Sequence, residues 1–246
     1  MSCDSSESGN VEVWSVWLDA SETANRKFRS FLSPEEAQRS ARFSTEALTA
    51  SFVTSHGVLR ALLSRYLHYD AREFEFAPGS AGKPALVGDF KLQFNMSHSG
   101  DLAVYAFAPS LPVGVDIEGI RKVADAETIA KHHFCSEETS ELLSITDEKQ
   151  RREAFFRCWT RKESYIKAVG EGLSLALDRF QVTLLPGVPP SLVHIENSER
   201  AASCWTLHHI EPAAGYVGAV SFRSRDHGFK MHPLIHAQDI LDLPLA

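Results

Sequence analysis

The hydrophobic pattern divides the chain into two passages of similar element order. VEVWSVWL over 11–18 reads as a strand, and the stretches near 33–43 and 45–68 read as helices. Strand-like runs follow near 73–76, 91–97 and 102–108. The order then repeats. A strand over 113–118 leads to helices near 125–133, 136–144 and 148–169, and then to strands near 179–185, 192–195, 203–210 and 216–222. The repeat is one of elements, not of residues. No Gly- or Ser-rich linker parts the two passages, and the joint, Pro109 to Gly114, is short and apolar, so the halves are expected to pack rigidly. We therefore expect an α+β chain of two halves, 1–110 and 111–246. The tail from His227 to Ala246, with Asp239 and Asp242 among leucines, is expected to pack on the body or fray.

Four short runs carry candidate chemistry. In GVDIE at 114–118, alternation along a strand sends Asp116 and Glu118 to the same face, where two carboxylates can share a hard cation with water and a phosphate oxygen. In WTRKESYIK at 159–167, helical spacing puts Glu163 and Lys167 on one face. Upstream, Gly82, Lys83 and Pro84 fall in a loop, where a glycine lets a ligand approach the backbone and the proline stiffens the exit. FNMSHSG at 94–100 offers the Ser97 hydroxyl and the His98 imidazole to phosphate oxygens. Each run taken singly also fits a solvated helix pair, a strand end or a turn.

In this order and spacing, the four runs resemble the motifs of the 4′-phosphopantetheinyl transferases, in particular the larger, surfactin-synthetase-activating type. The resemblance spans about Val11 to Val220 and takes in FLSPEEAQRSARF at 31–43 as an early helix. It implies two pseudo-twofold-related α+β halves with the nucleotide in the cleft between them. It also implies transfer of the 4′-phosphopantetheine arm of coenzyme A to a serine of an apo acyl or peptidyl carrier protein, releasing adenosine 3′,5′-bisphosphate. By the same resemblance Asp116, Glu118 and Glu163 hold Mg2+, with Mn2+ as a substitute, Glu163 accepts the serine proton, and Lys167 binds the pyrophosphate. Arg39, His56, Gly82, Lys83, Pro84, Ser97 and His98 are the expected coenzyme A contacts, together with Asp116 and Lys167. Lys162, beside Glu163 but on a different helix face, fits a phosphate contact or a solvated lysine equally. Two departures stand out: Glu36 occupies a place where some relatives have lysine, and His56 one where many have arginine. A histidine at that phosphate is expected to have a raised pKa. Two other classes stay open, a magnesium-dependent phosphohydrolase and a non-catalytic coenzyme A-binding relative.

Composition narrows the partners. A net charge of −7 argues against non-specific nucleic-acid binding, and carrier proteins are themselves acidic, so docking calls for a local basic patch. Arg121, Lys122, Arg151, Arg152, Arg157 and Arg161 are its candidates. Cys3, Cys135, Cys158 and Cys204 lie far apart without metal-ligand spacing, so reduced thiols are the simpler expectation. The start MSCDSSESGN has neither a basic nor an apolar leader region, and no run approaches the length of a spanning helix. The expectation is a cytoplasmic monomer that binds no membrane. The His132–His133 and His208–His209 doublets diverge in direction and do not read as zinc ligands.

Overall fold

The computed structural model describes residues 9–79, 82–170 and 175–243. In the first half, β1 (Asn10–Trp17) is followed by α1 (Glu22–Arg29), α2 (Pro34–Ser40) and the long α3 (Glu46–Leu67), then by the hairpin β2 (Phe76–Pro78) and β3 (Pro84–Leu86), and by β4 (Leu92–Ser99) and β5 (Leu102–Pro109). The second half runs β6 (Val113–Gly119), α4 (Ala126–His133), α5 (Ser136–Ser144), α6 (Glu148–Val169), β7 (Phe180–Val182), β8 (Leu192–Ile195), α7 (Glu199–Ala202), β9 (Thr206–Ile210) and β10 (Tyr216–Phe222). The sheets share one topology, β1-β5-β4 in the first half and β6-β10-β9 in the second, with antiparallel neighbours in both. Each half lays one 22-residue helix, α3 or α6, over its sheet. Helix α1 was not legible in the hydrophobic pattern, because only Ala24 and Phe28 of its eight residues are buried.

Both long helices are bounded by local signals. Thr45 and Asp147 cap the starts, their side chains accepting from the Leu48 and Gln150 amides. Gly170, at φ 80°, takes the left-handed turn that ends α6.

Three apolar layers hold the chain. Trp14, Phe28, Leu59, Leu62, Tyr105 and Phe107 fill the space between α3 and its sheet. Phe155, Phe156, Tyr165, Ile166, Phe180 and Ala219 do the same under α6. Between the sheets, Val11, Val13, Val104, Ala106, Val115, Ile117 and Val220 pack back to back. Strand β5 sends Ala103, Tyr105 and Phe107 to one layer and Leu102, Val104 and Ala106 to the other, so LAVYAFA is apolar throughout. This shared layer packs the two sheets against each other across the joint.

The end of the chain departs from the division at residue 110. After β10 the chain returns to the first half, where β11 (Gly228–Met231) and β12 (Ile235–His236) pair in parallel with β1. A 3-10 segment, Ala237–Asp242, then packs Ala237 and Ile240 into the first-half core. Its docking is partly polar: His232 stacks on Trp14 with ring centroids 3.7 Å apart and meets the Glu12 carboxylate at 2.5 Å. Cys135 and Cys158 are free and buried.

Candidate functional site

Strand β6 alternates between two environments. Val113, Val115 and Ile117 enter the layer between the sheets, while Gly114, Asp116 and Glu118 turn to α6. A Cβ on Gly114 would lie 2.0 Å from the Ser164 carbonyl oxygen and 2.4 Å from the Ala168 amide nitrogen, so only glycine lets the helix lie this close to the strand. That approach brings Lys167 to Asp116, with Nζ donating to Oδ1 at 2.7 Å, and sets Glu163 within the field of both strand carboxylates.

The Asp116 carboxylate is buried. Burial raises its pKa, against the pull of Lys167. Its Oδ1 accepts from Lys167 and from Ser97 Oγ (2.9 Å), while its buried Oδ2 has no hydrogen-bond partner among the described residues. Glu163 is raised as well, by burial first and then by the Asp116 and Glu118 charges, with Lys167 opposing. Glu118 Oε2 accepts from Ser99 Oγ at 3.1 Å and from Arg121 at 2.7 Å. Among the described residues no three His, Cys, Asp or Glu side chains form a ready metal cage. Magnesium does not demand one, because it keeps waters and shares substrate phosphates with one or two carboxylates. The unpartnered Asp116 Oδ2 beside two further carboxylates fits such a cation.

Strand β4 separates the roles within FNMSHSG. Asn95, Ser97 and Ser99 face β6, and His98 faces the opposite way, near His56 of α3. Burial and the Lys167 charge lower the His98 pKa. His56 stacks on Phe52 at 3.8 Å, and the Arg39 guanidinium lies over the same Phe52 ring at 5.3 Å. Without a phosphate beside it, His56 lies below its ordinary pKa, and the rise expected at a bound phosphate would start from there. Burial, with Arg39, His98 and Arg60 adding to it, lowers the pKa from 6.5 to about 4. Nδ1 lies 3.1 Å from the Phe52 carbonyl oxygen, which only accepts, so Nδ1 carries the proton and neutral His56 has no donor left for an anion.

The hairpin loop holds Gly82 at φ +82° and leads Lys83 away from open solvent, with Pro84 starting β3. Lys83 Nζ donates to the carbonyls of Val113 (2.8 Å) and Lys167 (2.9 Å), tying the first-half hairpin to the start of β6 and the end of α6. Burial and Lys167 lower its pKa to about 8.

Three expected residues lie elsewhere. Lys162 is fully buried, paired with Glu138 at 2.8 Å and donating to the Leu177 and Phe180 carbonyls, so it is neither a phosphate contact nor a solvated lysine. Arg161 is buried too, its guanidinium donating to the Thr183 carbonyl, and Arg157 donates to Leu184 O at 2.9 Å. Arg161 therefore belongs to no open basic patch, whereas half-buried Arg157 lines a surface cavity with Lys149. Arg121, Lys122, Arg151 and Arg152 stay at the surface, and the last three line a cavity of about 350 Å³ with Leu142 and Phe155. Sequence reasoning missed Asn95, Ser99 and Gly114. The period-two pattern Asn-x-Ser-x-Ser in β4 was the available signal.

Two family models match in succession. "4'-phosphopantetheinyl transferase, N-terminal" covers residues 16–110, and "4'-phosphopantetheinyl transferase superfamily" covers 112–221. The 4'-phosphopantetheinyl transferase HetI of Nostoc sp. strain PCC 7120 is 34% identical over 87% of this chain and 88% of its own length. The 4'-phosphopantetheinyl transferase Sfp of Bacillus subtilis strain 168 is 34% identical over 85% of this chain and 91% of its own. The human L-aminoadipate-semialdehyde dehydrogenase-phosphopantetheinyl transferase is 32% identical over 63% of this chain and 53% of its own.

Proposed function

The chain belongs to the 4'-phosphopantetheinyl transferase superfamily, and from that membership we propose that it moves the 4′-phosphopantetheine group of coenzyme A onto a serine of an apo acyl or peptidyl carrier protein. Adenosine 3′,5′-bisphosphate leaves. The observation that carries this reading is the meeting of Asp116, Glu118, Glu163 and Lys167 where α6 lies on β6 between the halves.

Asp116, Glu118 and Glu163 would hold magnesium, or manganese in its place. When bound, the ion neutralises charge on the pyrophosphate and the leaving phosphate. Glu163 accepts the proton of the carrier serine as its oxygen bonds to phosphorus, and the bond to the departing bisphosphate breaks. Lys167, fixed by Asp116 and Ser97, presents a positive charge to the pyrophosphate. On the first-half side, Arg39 and His98 are the groups best suited to the coenzyme A phosphates. His56 supplies a stacked neutral ring and would have to take up a proton before donating to one. Lys83, with Gly82 and Pro84, shapes the cleft wall by holding the two carbonyls rather than by offering a free ammonium. Arg121, Lys122, Arg151 and Arg152 are left as the basic surface for an acidic carrier. We place the reaction in the cytoplasm, in a monomer; no helix among the described residues is long and apolar enough to cross a membrane.

The test is mass spectrometry of an apo carrier protein after incubation with coenzyme A and magnesium. One added phosphopantetheine on the carrier serine is the expected result. Release of adenosine 3′,5′-bisphosphate without carrier would identify a phosphohydrolase instead, and no product under either condition would identify a binding protein.

A further inference from the structure

Strands β4 and β6 lie side by side without backbone pairing, and side chains of β4 take the place of its carbonyls. Asn95 Oδ1 accepts from the Val115 amide at 2.8 Å, Ser97 Oγ from Ile117 at 3.4 Å and Ser99 Oγ from Gly119 at 3.0 Å. Each rung joins residues 20 positions apart, so the two strands run in the same direction. At the two serine rungs the hydroxyl proton points onward, from Ser97 to Asp116 Oδ1 and from Ser99 to Glu118 Oε2. A hydroxyl suits this double duty because it has one proton to give and lone pairs to receive. Alanine can do neither, and threonine can do both.

The two rungs differ in what else restrains the carboxylate. Asp116 is buried and also bound by Lys167. Among the described residues Glu118 has only Arg121 besides Ser99, and the Arg121 side chain is 58% exposed, which makes that ion pair a weak restraint. The direction of the Glu118 carboxylate therefore rests on Ser99. We propose that Ser99 is a positioning residue that aims Glu118 at the cation position shared with Asp116 and Glu163. This rests on the transferase reading above.

The experiment measures Mn2+ binding by electron paramagnetic resonance in the presence of coenzyme A, for wild type, Ser99→Ala, Ser99→Thr and Asp116→Asn, alongside thermal melting and steady-state kinetics over a range of Mg2+. Removing a hydrogen-bond partner of a metal ligand costs about 10–100-fold in metal affinity, so Ser99→Ala should weaken Mn2+ by about tenfold or more. The Mg2+ concentration for half-maximal rate should rise in step, while KM for coenzyme A at saturating Mg2+ stays near wild type, and Ser99→Thr should recover most of the loss. A merely structural serine would instead lower the melting temperature and kcat at every metal concentration. Wild-type Mn2+ affinity in Ser99→Ala, or a loss that threonine and excess metal both fail to correct, overturns the proposal. If Asp116→Asn loses Mn2+ while Ser99→Ala keeps it, only the role of Ser99 falls. If the wild-type protein binds no Mn2+, the metal reading falls first.

Discussion

In both halves the fifteenth residue of the long helix, counted from Glu46 in α3 and from Glu148 in α6, is a buried cation. Arg60 pairs with Glu36 at 2.8 Å and donates to the carbonyls of Ala71 and Phe74, in the segment that follows α3. Lys162 pairs with Glu138 at 2.8 Å and donates to the carbonyls of Leu177 and Phe180, in the segment that follows α6. Each glutamate is also the third residue of a short preceding helix, where it accepts from the capping residue's amide, Ser33 for Glu36 and Cys135 for Glu138. Each cation lies over an aromatic ring, Arg60 over Phe76 and Lys162 over Phe180. The pseudo-twofold relation thus extends to a clasp that joins a short helix, a long helix and the following chain. It also accounts for Glu36, whose carboxylate is the partner a buried arginine requires.

The halves diverge at the next residue. Ala61 follows Arg60, whereas Glu163 follows Lys162. One face of the helix serves the clasp in both halves, and the adjacent face carries the proposed chemistry in only one. The scaffold recurs in both halves and the acid cluster does not. Neighbouring residues on a helix point about 100° apart, so the clasp and the site occupy different sides without competing.

The largest expected effect tests the side that differs. Glu163→Gln keeps shape and removes a charge, so transfer to a carrier protein should fall by at least about 10²–10⁴-fold, the usual contribution of a catalytic base, with melting unchanged. Transfer above a tenth of normal in a well-folded variant would mean that Glu163 does not distinguish α6 from α3 functionally.

The next tests the side that is shared. Glu138→Gln leaves Lys162 charged in a site where both partners are 0% exposed, and breaking such a pair costs about 3–5 kcal/mol. Glu36→Gln should cost less, roughly 1–2 kcal/mol, because Glu36 is 16% exposed and water can reach Arg60 through the gap. Denaturant unfolding of both variants measures the difference. Equal losses would show that the two clasps are energetically the same and that exposure does not set their strength.

A smaller effect belongs to the first half alone. His56 has a folded-state pKa of about 4 against an ordinary 6.5, so the unfolded chain binds more protons between these values. Its contribution is complete above pH 6.5 and declines as pH falls toward 4. By linkage, stability at pH 5 should be about 2 kcal/mol below that at pH 8 on account of this residue. Wild type and His56→Gln compared by unfolding at the two pH values should differ by that amount in their pH dependence, after the other histidines have cancelled. Identical dependence in both would mean that burial, with Arg39, His98 and Arg60 adding to it, does not hold His56 neutral.

The sequence by itself determined what depends on neighbours along the chain. Two-residue alternation placed Asp116 and Glu118 on one face, capping residues and Gly170 bounded the long helices, and the four ordered motifs identified the family. Tertiary structure decided which face of an element meets which partner. Lys162 and Glu163 are adjacent in sequence, yet one enters the core to meet Glu138 and the other meets the strand carboxylates, because packing against β6 and β10 set the rotation of α6. Lys83 reads as a loop lysine until the fold brings Val113 and Lys167 to it. Strands β11 and β12 carry too weak a pattern to show that they would leave the half that precedes them, and they are held by β1, more than 200 residues upstream in the chain. The physical reason is common to all three. Periodicity states which residues share a surface, but burial, ion pairing and parallel strand addition are completed by groups distant in sequence, and only the folded chain brings those groups together.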